Sequence, residues 1–591
     1  MKYIFRSIDR EKFWLGAIIV LALVLRTWNV DWDQGQHLNP DERFLTLVGI
    51  DARLPVSWEE YLNPDVSKLN PYIIGRDFFV YGRFVLILTK LLAVEWGMDN
   101  YYDYAILGRW MSAVFDVGTV LLTFLLGKKL TEITNNKLQI LNKSKIQNNK
   151  VISEQQKEAT KQRNNESSKY ALWGAFFYAV AVVPIQQAHF ATVDAPLVFF
   201  LTAAIYLSLK FYYERRYYWV LGSGVLWGLG LATKVSAVYV LPLIGIWGIS
   251  TFMGELRKWR VGDYLGKSFL AGTIFVLGAC LMLRVADPYL FEKASWLDWR
   301  VSADFLTDIE ELRGWNNPEA WFPPGVQWIN IDRRWYSLVN MAVFGVGLPY
   351  FGLSLAGFWF LWRLRRPEVW IVLAWAGGLF WYQASQYAQP MRYFYILYPW
   401  LALAAGLALR RLWYWHGKRT GMVVLALVLI WPMSFMSIYM EKHSRVQATE
   451  WMYENLETGS VLAEEHWDDP LPLLLPGEDS GRFEVLQMPV FGADDEMKWK
   501  EMNSILQRAD YIVFSSNRGY GSISQVSERY PRMSKFYDDL FVGKFGYEKF
   551  KEFTVFPGFL GWEFDDQWAD ESFTVYDHPK VIIFKKISDE R

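Results

Sequence analysis

The sequence has a single cysteine in 591 residues, Cys280. No intramolecular disulfide can form, and a cysteine-built zinc site lacks its ligands. Net charge is also missing. Sixty-one Lys and Arg stand against 62 Asp and Glu, leaving −1. No basic surplus points to nucleic acid, which is not expected as a partner. There is no glycine-rich nucleotide loop; Gly519-Tyr520-Gly521 alone is too weak a signature. There is no internal repeat, and twin halves with interrupted spans would have favoured a transporter. No small-residue cleavage site follows the first apolar run, where Arg26-Thr27-Trp28 stands instead. With Lys2, Arg6, Arg10 and Lys12 ahead of it, that run reads as an uncleaved first span.

What the chain does have is apolar and aromatic. It is 52% hydrophobic and 18% aromatic, with 31 Trp and 33 Tyr, residues that suit membrane interfaces. Mean hydropathy is only +0.06 because a polar part dilutes an apolar one. Candidate spans are Phe13–Trp28, Leu107–Leu126, Tyr170–Gln187, Ala195–Tyr212, Trp219–Thr233, Val235–Thr251, Phe269–Val285, Leu338–Trp362, Val369–Gln383, Tyr393–Leu409 and Gly421–Tyr439. That is about eleven crossings of a hydrocarbon layer about 30 Å thick. Phe78–Val94, interrupted by Arg83 and Lys90, is expected to lie as an interfacial helix in the first outer loop.

With the N-terminus cytoplasmic, the inner segments carry Lys128-Lys129, Arg215-Arg216, Arg257-Lys258-Arg260, Arg363-Arg365-Arg366 and Arg410-Arg411. This follows the positive-inside rule. It puts Asp41, Asp194, Lys234, Asp287 and Arg392 on the outer face. Thr131–Lys169, rich in Asn, Lys, Gln and Ser, reads as a flexible cytoplasmic loop.

The expected fold is a polytopic α-helical membrane domain over residues 1–440, followed by an extracytoplasmic α/β domain over 441–591. In the latter, Ser444–Leu456 and Asp495–Arg508 have helical patterning. Phe483–Met488, Tyr511–Ser515, Phe550–Phe556 and Val581–Lys585 pattern as strands. Arg26 and Arg284, near span ends, are expected to snorkel to the interface.

The residues able to carry chemistry begin with His37-Leu38-Asn39-Pro40-Asp41-Glu42-Arg43, just after the first span. One carboxylate of the Asp41-Glu42 pair could take a proton from an attacking hydroxyl. The plainer reading is that Asp41 caps a helix. Asp194, in His189-Phe190-Ala191-Thr192-Val193-Asp194-Ala195-Pro196, could face the same cavity or cap the next helix, with Pro196 in its first turn. Lys234 and Arg392 could bind a lipid phosphate at the outer interface, Arg through its planar fork; otherwise both snorkel. Asp31-Trp32-Asp33 and His37 offer ligands for a cation such as Mg²⁺ or Mn²⁺, the oxygen donors being best suited.

Four features together resemble the GT-C type of lipid-carrier-dependent glycosyltransferases, and most closely its protein mannosyltransferase and aminoarabinose transferase branch. They are Pro40-Asp41-Glu42 after the first span and Gly108-Arg109-Trp110-Met111-Ser112 opening the second. Thr192-Val193-Asp194, with Gly-Leu-Ala-Thr-Lys ending at Lys234, is the third. Arg392-Tyr393 with Pro399 is the fourth. The similarity runs from about Phe13 to Leu409. It implies a polyprenyl-phosphate sugar as donor, an inverting transfer, and Asp41 as the proposed base. Glu42 and Asp194 would assist it. Arg392, Lys234 and Arg109 would bind the donor phosphate. Asp41, Asp194 and His37 would hold any divalent cation. The tail Asp570-Glu571-Ser572-Phe573-Thr574-Val575-Tyr576-Asp577-His578-Pro579-Lys580 looks like those of bacterial and archaeal members. There is no Trp-Trp-Asp motif opening the soluble domain, which disfavours an oligosaccharyltransferase.

The function expected is transfer of a sugar from a polyprenyl-phosphate carrier to an extracytoplasmic protein, lipid or glycan. The alternatives are a transporter or flippase of lipid-linked sugars, and a membrane-anchored glycan-binding sensor.

Overall fold

The structure is a computed structural model that describes residues 10–143, 168–333 and 335–587. Most of the expected cytoplasmic loop, 144–167, lies outside these residues. Its first part continues a helix instead, Tyr101–Lys143.

Among the described residues, four helical stretches are long and apolar enough to cross a membrane: Tyr101–Thr131, Asp194–Glu214, Val261–Ala286 and Met391–Asn455. Two bent pairs raise the number to six. Ser168–Ala179 meets Val182–Ala188 at 58°, and Tyr336–Gly345 meets Leu348–Arg363 at 115°. The chain is a multi-pass membrane protein. Its outward surface agrees with this. On Val261–Ala286, Phe269, Leu265, Val276 and Leu277 are each more than half exposed, an apolar belt with no protein against it.

The expected eleven spans are therefore not reproduced by helix length. Tyr217–Leu231 has 15 residues and Leu241–Ser250 has 10. At a rise of about 1.5 Å per residue, neither reaches across about 30 Å. A 3₁₀ turn, Val235–Val240, separates them. Of the expected interfacial segment, Phe84–Trp96 is helical, and Gly97 ends it in the left-handed conformation at φ 69°.

Charges inside the bundle are paired with opposite charges or bonded to backbone carbonyls. Arg26 and Arg284 do not snorkel. Arg26 is fully buried, bonded to Asp116 and to the carbonyl of Ala179 at 2.8 Å. Asp116 also accepts from the hydroxyls of Tyr178 and Tyr395. Arg284 is 1% exposed and donates to the carbonyls of Lys293 and Ser295 in the following loop. A guanidinium in apolar surroundings is costly unless paired, and these partners were invisible in a linear reading. Helices also pack closely. A Cβ on Gly357 would fall on the carbonyl of Ala404, so glycine lets Leu348–Arg363 lie against Tyr398–Met436.

Beyond Met440 the chain forms a five-stranded sheet. Val461–Glu465 lies between Glu484–Met488 and Tyr511–Phe514 and is parallel to both. Val581–Lys586 runs antiparallel to Tyr511–Phe514, and Tyr547–Phe553 completes the other edge. The helices Ser444–Asn455, Glu496–Arg508 and Pro531–Phe541 pack on it. Val461–Glu465 was not expected as a strand. Leu462, Ala463, Glu464 and Glu465 are all buried, acidic pair included, so no period of two marks the strand.

Asp116→Ala would leave the Arg26 guanidinium unpaired. It should cost roughly 3–5 kcal/mol, seen as a lowered unfolding temperature of the detergent-solubilised protein, whereas a conservative change at an exposed lipid-facing site such as Leu277→Ile should not.

Candidate functional site

The site starts with a helix cap. Asn39, not Asp41, caps Pro40–Asp51: its side-chain oxygen accepts from the N–H groups of Asp41 at 3.0 Å and Glu42 at 3.1 Å. Pro40 fills the first helical position, where its missing N–H costs nothing. The Asp41 carboxylate is thereby free to point elsewhere. Successive helical residues diverge by about 100°, so Asp41 and Glu42 serve different clusters.

Asp41 pairs with Arg392, 351 residues away. Asp194 pairs with Lys234, whose Nζ lies 2.7 Å from the carboxylate. The two pairs adjoin: Lys234 acts electrostatically on Asp41, and Asp194 on Arg392. The hydroxyl of Tyr81 acts on Asp41, and the ring of Tyr393 lies 5.8 Å from the Lys234 ammonium. Gly82 brings Tyr81 in. Its N–H donates to the carbonyl of Thr233, Phe84 N–H donates to that of Ala232, and a Cβ on Gly82 would strike that backbone. The turn ending at Lys234 is thus pinned beside Tyr81. Asp194 is not a helix cap, since the capping position is Val193 and the carboxylate faces Lys234.

Glu42 goes the other way. It accepts from Arg109 through Nε at 2.9 Å and Nη2 at 2.5 Å, and from the N–H of Ala191 at 2.7 Å. Arg109 also donates to Asp33 at 2.8 Å and to the carbonyl of Val30 at 2.8 Å, under the ring of Trp32. Exposure separates the clusters. The side chains of Asp41 and Arg392 are 24% and 21% exposed, while those of Glu42 and Arg109 are 0% and 1%. Arg109 therefore stands apart from Arg392 and Lys234, its fork occupied, and Glu42 apart from Asp41. Together they tie the helix Pro40–Asp51 and the turn before it to the long helix Tyr101–Lys143.

His37 belongs to this closed group. Its Nδ1 lies 4.0 Å from Glu42, and its ring lies 4.0 Å from that of Tyr101. Burial holds its pKa down to about 4, so the imidazole is neutral at pH 7. Asp31 accepts from Tyr102, and Asp33 from Arg109 and the N–H of Leu38. Among the described residues no group of three or more His, Cys, Asp or Glu is arranged to hold a metal ion. The candidate set Asp41, Asp194 and His37 does not assemble, because His37 and Asp41 sit in different clusters. These residues do not fit the divalent cation. Asp287, grouped with the outer-face charges in the sequence, pairs instead with Arg83 at 3.6 Å.

Burial tends to raise the Asp41 carboxyl, but Arg392, Lys234 and the Tyr81 hydroxyl together hold it below the ordinary carboxylate value. Burial likewise works on Asp33 and Glu42. The Arg109 charge overrides it at Asp33, which is lowered, while Glu42 stays raised.

The family model for dolichyl-phosphate-mannose-protein mannosyltransferases matches residues 162–276. That stretch includes both Asp194 and Lys234. No curated relative matches the sequence. Among solved structures, the chain is similar to the oligosaccharyltransferase AglB from Archaeoglobus fulgidus in complex with an inhibitory peptide and a dolichol-phosphate. The identity is 11%, covering 94% of this chain and 75% of that one, with a TM-score of 0.47. It is also similar to ArnT from Cupriavidus metallidurans bound to undecaprenyl phosphate, at 13% identity, covering 96% and 98%, with a TM-score of 0.44.

Residue order does not mark Tyr81, and it marks Tyr393 only as the neighbour of Arg392. A depressed carboxyl stabilises the fold above its ordinary pKa, and loses that contribution as pH falls through the lower folded value. The stability difference between wild type and Asp41→Asn should therefore be flat from pH 8 to about 4 and vanish only in stronger acid, as read by unfolding temperature against pH.

Proposed function

We propose that this protein is an integral-membrane inverting glycosyltransferase that takes a sugar from a polyprenyl-phosphate carrier. The observation that carries this reading is the meeting of Asp41 with Arg392, beside Asp194 and Lys234, at a partly exposed point of an otherwise closed helical bundle. The match of residues 162–276 to the mannosyltransferase family supports it.

In this reaction the acceptor hydroxyl oxygen attacks the anomeric carbon of the donor sugar. The bond from that carbon to the phosphate oxygen breaks, and its electron pair leaves with the phosphate. The acceptor proton passes to Asp41. Arg392 and Lys234 stabilise the charge on the departing phosphate, where preorganised cations act most strongly. In the unliganded protein Asp41 is a weak base, because Arg392 stabilises its anion. A donor phosphate that engages Arg392 removes part of that stabilisation and raises the basicity of Asp41. Donor binding thus prepares the base. Asp194 keeps Lys234 oriented, and the Glu42–Arg109–Asp33 group fixes the helix that presents Asp41. The donor enters from the lipid through the apolar flank of the bundle, and the N-terminus lies in the cytoplasm with the quartet and the C-terminal domain outside. The sugar is a hexose or pentose, and the acceptor is a protein, lipid or glycan beyond the membrane.

The test is transfer from a radiolabelled polyprenyl-phosphate hexose by the purified protein in proteoliposomes. Asp41→Asn should lower kcat by about 10²–10⁴-fold, the usual span for a lost general base. Arg392→Gln should raise the donor KM. Undiminished turnover in Asp41→Asn removes Asp41 from the chemistry. Movement of the labelled lipid across the bilayer with no glycosylated product would indicate a transporter instead.

A further inference from the structure

The C-terminal domain touches the elements that carry both members of the central pair. On one side, Arg43, two residues past Asp41, donates to Asp469 at 2.9 Å. Asp469 and Asp468 are gripped by Arg445, a fully buried guanidinium that donates to them at 2.7 Å and 2.8 Å and to the carbonyl of Ser515 at 3.1 Å. The same loop is tied again at Gln36, whose amide donates to the carbonyl of Leu474 at 3.0 Å.

On the other side stands Asp570. It is fully buried, and its Oδ2 accepts from the backbone N–H of Met391 at 2.6 Å. Met391 opens the 3₁₀ turn Met391–Leu397, whose second residue is Arg392. Pro390, ahead of it, offers no donor, and no side chain of the turn's own capping position binds the first N–H groups. The charge for that helix start therefore comes from the C-terminal domain. Asp570 is itself fixed. Its Oδ1 accepts from Ser572 N–H at 3.1 Å, and its own N–H donates to Asn340 Oδ1 at 2.7 Å. The segment that follows is anchored through Asp577, which accepts from Gln186 at 3.0 Å and Tyr439 at 2.9 Å. A carboxylate on an N-terminal N–H is a charge-assisted bond, stronger and more directional than a neutral one.

We propose that the C-terminal domain sets the position of the Asp41–Arg392 pair, with Asp570 as the positioning residue that holds Arg392 for a phosphate ligand. This rests on reading the quartet as the donor site. Asp570 touches no substrate. It acts through the backbone of Met391, so its loss misplaces a cation rather than removing one. The domain is then a functional part of the membrane site.

The experiment uses the full-length protein in nanodiscs, with Asp570→Ala and Asp570→Asn, and measures donor KM, kcat, binding of sugar-free polyprenyl phosphate and unfolding temperature. Loss of one charge-assisted hydrogen bond corresponds to about ten- to a hundredfold. Asp570→Ala should raise donor KM and weaken polyprenyl phosphate binding by about tenfold, within that range. Asp570→Asn keeps an oxygen for the Met391 N–H and should recover most of the loss. Asn340→Ala, which loosens Asp570 without touching its charge, should move KM the same way by less, and serves if Asp570→Ala does not accumulate. A fall in unfolding temperature with KM and phosphate binding unchanged overturns the proposal, because it marks a structural role alone. Unchanged values throughout overturn it as well. Absence of transfer by the wild-type chain counts against the glycosyltransferase reading. Wild-type transfer with an unmoved KM in Asp570→Ala counts against the positioning role alone.

Discussion

Charge in apolar surroundings must be paired, and that requirement organises this molecule. A lone carboxylate or guanidinium pays heavily for leaving water. The bundle responds by bringing opposite charges together from distant parts of the chain. Arg26 meets Asp116, Arg83 meets Asp287, Arg109 meets Glu42 and Asp33, Lys234 meets Asp194, and Arg392 meets Asp41. Each pair is also a tie between helices, so the arrangement of charges and the arrangement of helices settle one another. Most of these ties are closed to solvent. The two that remain partly open are neighbours, and they are where a charged ligand can compete for a partner.

Competition is the chemical point. A sealed ion pair with every guanidinium nitrogen bonded, such as Arg109 with Glu42, can only hold structure. An accessible pair has two states available, partnered within the protein or partnered with a ligand. Arg392 keeps an Nε–H without an acceptor, and it is the largest of the influences that hold its carboxylate partner below the ordinary pKa, ahead of Lys234 and Tyr81. A phosphate entering there changes both the position of a cation and the proton affinity of a carboxylate. The turn of the helix beginning at Pro40 makes this division, sending Asp41 to the open pair and Glu42 to the closed one.

The sheet domain completes the frame. Its Asp469 holds the helix of Asp41 and its Asp570 holds the turn of Arg392. Both are backed by further buried bonds, through Arg445 and Asn340. Two halves of the quartet, supplied by the helix Pro40–Asp51 and the turn Met391–Leu397, are thus steadied by the same domain.

Much was legible from the linear order of residues. The apolar runs announced a membrane protein. The strands Glu484–Met488, Tyr511–Phe514 and Val581–Lys586 and the helices Ser444–Asn455 and Glu496–Arg508 were marked by periodicity to within a few residues. Asp41, Asp194, Lys234 and Arg392 stood out because charged residues beside apolar runs are rare. Composition and order fixed that much, since hydrophobic burial is a property of local patterns. What they left open was partnership. The cap at Asn39, the closure of Arg109, the separation of His37 from Asp41, the shortened helices around Lys234 and the reach of Asp570 to Met391 each depend on where a distant backbone lies. Hydrogen bonds and ion pairs act over about 3–4 Å, and only the folded chain brings residues 41, 194, 234, 392 and 570 within that range.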